Sequence, residues 1–173
     1  MSELKKVALW MFGDVKTSEG FWYSHFLHLI DGLSDHQLFW IPNRKQLPII
    51  WHVGHIAHRE SSHIRYIIQK HKENIIPSGY EIFGTDWWPV DEIRKSIDSS
   101  ENVIKWATNV RKESKDFISS LKEEDFYTIL ETGEHDSMSV AHWLFITASH
   151  TALHYGKIQL LRALLEDERD SPC

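Results

Sequence analysis

The sequence predicts an all-α protein, a four-helix bundle with long connecting loops. Three observations predict it. Apolar residues recur at helical spacing through four long stretches, Pro and Gly gather in the segments between them, and no convincing run alternates apolar and polar residues as a strand would. Only "FYTIL", residues 126–130, reads as a short extended piece.

The first helix is expected over about residues 3–31, broken near Gly13. Its second half, "SEGFWYSHFLHLIDG", offers Ser18 as N-cap and Gly32 as a stop. "LSDHQLFWIPNRKQLP" then reads as a connection, because Pro42 and Pro48 end any helix. Pro is well placed in a first turn, so the second helix starts at or just after Pro48 and runs through "IIWHVGHIAHRESSHIRYIIQKHK" to about residue 72. Residues 74–90 form a long loop with two Pro, two Gly and four aromatics, apolar enough to fold over something. The third helix, about 90–120, is amphipathic through Ile93, Ile97, Val103, Ile104, Ala107, Val110 and Phe117. After "KEEDFYTILETGEHD" the fourth begins near Ser137 or Ser139 and runs to about residue 165.

At 173 residues the chain is the size of one ordinary domain, residues 1–173, with ordinary shares of apolar (42%) and charged (25%) residues. The formal net charge of −6 argues against a nucleic-acid backbone as partner, which needs a basic patch. The single cysteine, Cys173, excludes an internal disulfide or a cysteine-based zinc site and suits a reducing compartment. The N-terminus shows no signal-peptide pattern, and no apolar run approaches about 18 residues, so no membrane partner is expected and the chain reads as cytoplasmic. Twelve histidines are compatible with a metal site, and eight tryptophans suggest an aromatic core or pocket.

The chemistry centres on "SHTALHYGKIQLL", residues 149–161. Trp143, Thr147, His150, His154, Ile158 and Leu161 fall on one stripe of the fourth helix, a core-facing seam. A neutral imidazole has a donor and an acceptor, and leaving either bare in a core costs roughly 1–3 kcal/mol, so something polar must meet both histidines. Nearby hydroxyls or carboxylates would serve. So would a metal ion, since histidines at i,i+4 can bind one ion. Thr151 follows His150 where the zincin motif has Glu, so the pair carries no built-in general base.

A metal site needs a third ligand. "WHVGHIAHRE" on the second helix offers His52, His55 and His58. The main apolar face there is Ile49, Val53, Ile56, Ala57, Ile64 and Ile67, and His55 lies off it, on a mixed strip with Trp51, Ser62 and Tyr66. Spacing does not choose among the three, and a solvated face accounts for at least two of them. His25, His28, His36, His63, His71, His135 and His142 read as surface or capping residues. Glu60 falls on the apolar face, either to accept from a ligand's second N–H or to pair with an arginine from another helix.

Taken in order, "IDGLSDHQLFWIP", "IIWHVGHIAHRE" and "ASHTALHYGKIQLL" resemble the three signature blocks of the DinB-like, or YfiT-like, metalloprotein superfamily, over nearly the whole chain. The resemblance implies a four-helix bundle with three metal-binding histidines, which by position are His55, His150 and His154. It implies a divalent zinc, nickel or iron ion and, in many members, a homodimer. Many relatives read HRGQ where this chain has "HYGK", so Tyr155 and Lys157 depart from the pattern while the ligands do not.

Some relatives are thiol-dependent S-transferases or isomerases, which makes a small-molecule thiol the expected partner and transfer to a small electrophile the expected reaction. The alternatives are a non-catalytic metal- or ligand-binding stress protein and a metal-dependent hydrolase. Trp51, Trp87, Trp88 and Trp143 are the candidate pocket walls. Imidazoles must be neutral to coordinate, so metal affinity is expected to fall as pH drops through about 6.5.

Overall fold

The computed structural model describes residues 2–13, 22–71, 76–85, 88–131 and 137–170, with 22–25 and 168–170 as backbone. Helix α1, Glu3–Phe12, starts on the Ser2 cap and stops at Gly13, whose φ of 72° suits glycine, so the expected break at Gly13 is real. Ser18 lies outside the described residues. Trp22–Ile30 follows as a 3-10 helix. The connection after it is not all loop: Ser34 and Gln37 form a reciprocal capping box around the one-turn helix α2, Asp35–Leu38.

Helix α3, Ile49–Ser61, begins directly after Pro48 as expected and continues as a π-helical stretch, Ser62–Ile68. It ends short of residue 72, where Lys70 takes a φ of 56°. The expected third helix is two. Asp98, Ser99 and Ser100 are strong cap formers, and Ser99 accepts from the Asn102 N–H, separating α4, Val90–Ser96, from α5, Ser100–Ser120. Part of "FYTIL" is indeed extended, as strand β1, Ile129–Glu131. It pairs antiparallel with β2, Ser137–Ser139, Leu130 opposite Met138. The last helix, α6, therefore starts at Val140, and it runs past 165 to Asp170.

Helix α3 packs on both α5 and α6, α6 on the Trp22–Ile30 segment, and α1 on α5 and α6. Two apolar clusters fill the interior. One gathers Phe26, Ile30, the first half of α3, the first half of α5 and Ile158 and Leu161 of α6; the other gathers α1, Ile64, Ile118, Phe126 and the start of α6. Between them, the buried residues are polar: Glu60 and Ser61 on α3, Arg111 and Ser114 on α5, Thr151 and His154 on α6. No helix among the described residues is long and apolar enough to cross a membrane.

The long loop does fold over something. Tyr80–Gly84 forms a 3-10 turn against α3. Its Phe83 ring is buried over Gly54, where an added Cβ would lie 2.5 Å from the ring. Gly54→Ala is therefore expected to overpack this contact, cost about 1–3 kcal/mol of stability and push the 80–84 turn outward. Thermal unfolding of the variant checks it, and an unchanged melting temperature would contradict the contact.

Candidate metal centre

Helix α3 is buried on nearly every side, so its histidines do not have the solvated face expected for at least two of them. His52 and His55 are buried, and His58 is half-buried. His55 meets the α6 pair across the bundle. The Nε2 atoms of His55 and His150 lie 3.1 Å apart, and His55, His150 and His154 can each offer one nitrogen with all three within 4.8 Å of one another. Two nitrogens bound tetrahedrally at 2.0–2.1 Å to one zinc ion stand about 3.3 Å apart, so the His55–His150 spacing already fits a shared ion.

Two of the three rings are held by a partner on the far side. The Phe83 carbonyl lies 2.5 Å from His55 Nδ1 and can only accept, so Nδ1 carries the proton and Nε2 is left as a bare donor to a metal. This bond is what the 80–84 turn contributes to the site. His154 Nδ1 lies 2.9 Å from His52 Nδ1, and when it donates to His52 the His154 Nε2 is left unprotonated. Trp51 stacks on His55 at 4.4 Å between ring centroids.

Glu60 orients none of them. Of its two readings, the pair with an arginine holds: Arg111 Nη2 lies 2.7 Å from Glu60 Oε2, both buried. Arg111 also donates to the Phe12 carbonyl and to Thr151 Oγ1, tying α1, α3, α5 and α6 together.

His52 is thus not a bystander. His52→Ala should leave the His154 ring without its partner and weaken metal binding by roughly 10–100-fold. Competition with a chromophoric chelator measures it, and wild-type affinity would contradict the role. His58→Ala removes no bond to the three histidines and should change little.

The three histidines open onto a cavity of about 380 Å³. Trp51, His55 and Arg59 line it from α3 and His63 from the π-helical stretch that continues it, at a spacing of four residues, with Leu47 and, on α6, His150, Leu153, His154 and Lys157. His63 is therefore no surface residue. The Thr147 hydroxyl spends its proton on the Trp143 carbonyl, so it accepts from His63 Nδ1, leaving His63 Nε2 unprotonated. Arg59 and His63 follow His55 at +4 and +8, and that spacing was the available signal for both.

Among the expected aromatic walls only Trp51 lines this cavity. Trp88 lines a separate one with Ile41 and Arg44, Trp143 packs beside His63, and Trp87 lies outside the described residues. His28, His36, His71 and His142 are exposed, as expected. His135 and the side chain of His25 lie outside the described residues.

The family model for the DinB superfamily matches residues 22–158. The chain belongs to the DinB superfamily. Among curated proteins no match was found. The matched span runs from the 3-10 segment at Trp22 to Ile158, so it contains all three histidines of this DinB-superfamily cluster together with the turn that orients His55.

Burial, more than any charge, keeps the imidazoles of this DinB bundle neutral. It lowers His52 to about 3, His55 to about 4, His63 to about 4, His150 to about 3 and His154 to about 2, with Arg59, Lys157 and neighbouring histidines adding to the shift. Below pH 6.5 the unfolded chain takes up protons that the folded chain refuses, so stability falls as pH drops from 6.5 toward 4. The metal-free protein is expected to lose stability over that window with a slope of several protons, each worth about 1.4 kcal/mol per pH unit. Urea titrations at stepped pH check it, and a flat profile would contradict it. The same depression means protons compete for the ligands only near pH 4, not near 6.5, for as long as the chain stays folded.

Proposed function

We propose that this DinB-superfamily protein holds one divalent ion, zinc, nickel or iron, through His55, His150 and His154, and binds a small thiol there for transfer to a small electrophile. The observation that carries the reading is the convergence of three neutral imidazoles, two of them held from behind, on one open cavity. Three nitrogen ligands leave room for a further group, as in catalytic rather than closed structural sites. A dication in that place, when bound, favours a thiolate or hydroxide over its conjugate acid near neutral pH.

The chain's own residues supply the rest. The Phe83 carbonyl and His52 keep the rings aimed. Trp51, Leu47 and Leu153 offer apolar wall to a carbon skeleton. With an epoxide as electrophile, sulfur forms a C–S bond, the C–O bond breaks, and the oxygen released takes up the proton that the thiol has lost.

A second reading, metal-dependent hydrolysis, draws support from His63, a neutral imidazole on the cavity wall whose Nε2 can accept a proton from water. A non-catalytic metal or ligand binder is the third.

Elemental analysis of the purified protein comes first. One equivalent of metal per chain is expected, and its absence after reconstitution would remove the transferase and hydrolase readings and leave only a binder of some other ligand. Loading with cobalt and adding low-molecular-weight thiols then separates them. An intense near-ultraviolet charge-transfer band supports the transferase, and no band leaves hydrolase and binder.

A further inference from the structure

The chain carries a net charge of −6, yet every formally charged residue lining the cavity is a cation. We infer that the site takes a ligand with a second, anionic group, a carboxylate, which Arg59 and Lys157 hold while the ligand's other end meets His55, His150 and His154. The inference rests on the metal-site reading and names the ligand class.

The two cations come from two different helices, Arg59 one turn after His55 on α3 and Lys157 three residues after His154 on α6. Neither is neutralised. Arg59 spends one N–H on the Gly84 carbonyl, at 3.3 Å, and no carboxylate pairs with it among the described residues. The rest of its planar fork is free to bind a carboxylate. Exposed Lys157 has no hydrogen bond or ion pair among the described residues, and it also lines an adjoining cavity of about 350 Å³ whose one other charged residue is Lys45. Both Arg59 and Lys157 act electrostatically on His55 and on His150. Two uncompensated cations beside a dication repel it, and an anionic ligand offsets that repulsion.

Matched probes that differ only in the carboxylate test this on the full-length cobalt-loaded chain at low salt. One pair is 4-imidazoleacetate against 4-methylimidazole, and the other is N-acetylcysteine against its methyl ester. The carboxylate member of each pair is expected to bind about tenfold more tightly, and Lys157→Gln with Arg59→Gln should remove most of that advantage. Cobalt stoichiometry should stay at the wild-type value. The exposed Lys157→Gln alone, which threatens no packing, should remove part of the advantage and raise cobalt affinity by relieving repulsion.

Equal affinities within the imidazole pair, or an advantage that survives the double substitution, would overturn the anion site. An imidazole pair that behaves as expected while neither thiol gives a charge-transfer band would sink the thiol reading and leave the anion site standing. Parallel calorimetry on the metal-free chain makes the same comparison, so it decides even for a chain that takes up no cobalt.

Discussion

Replacing His150 or His154 by Ala is expected to abolish tight metal binding, and His55→Ala should weaken it comparably. Each change removes one of three nitrogens, and two imidazoles alone hold a divalent ion weakly beside Arg59 and Lys157. All three variants should fold, because each side chain lines the cavity and belongs to neither apolar cluster. Metal content after dialysis against a weak chelator reads the result, with circular dichroism as the control for folding. A His55→Ala variant that keeps its metal while His52→Ala loses it would mean that the ion sits one helical turn earlier on α3 and is shared by His52 and His154, which already touch at 2.9 Å.

The largest loss of stability is expected at the Glu60–Arg111 pair. Both side chains are buried, at 1% and 5% exposure, in the polar layer between the two apolar clusters. Removing one member strands the other charge away from water, which costs about 3–5 kcal/mol. Glu60→Ala or Arg111→Ala should therefore lower the melting temperature by roughly 10 °C for a domain of this size. Replacing both, as Glu60→Leu with Arg111→Met, should recover much of the loss, because an apolar pair of similar volume has no desolvation penalty. Differential scanning calorimetry of the three variants measures it. Single variants as stable as wild type would show that water reaches the pair. The double variant also separates stability from the site: it should keep its metal, since neither residue touches the three histidines.

Much of this was legible from local rules. Pro48 before an apolar run starts α3, Gly13 ends α1, and the spacing of His150 and His154 places both on one face of α6 whatever the helix packs against. Those features depend on backbone preferences and helical period, which a sequence carries by itself. The break between α4 and α5 was also written there, in Asp98–Ser99–Ser100, but a strong apolar period masked it.

What the helix wheel could not decide was which imidazole of α3 joins both His150 and His154. A helix buried all round has no solvated face to sort its residues by. The choice came from family likeness, and in the fold it is a matter of how α3 is rotated against α6. Tertiary structure alone decided the rest. A carbonyl from residue 83 sets the tautomer of residue 55, a guanidinium from α5 pairs with one carboxylate oxygen of Glu60, and Arg59, His63 and Lys157 become neighbours of one cavity. These are contacts between elements far apart in the chain, and they depend on the distances and rotations of packed helices, which no local pattern encodes.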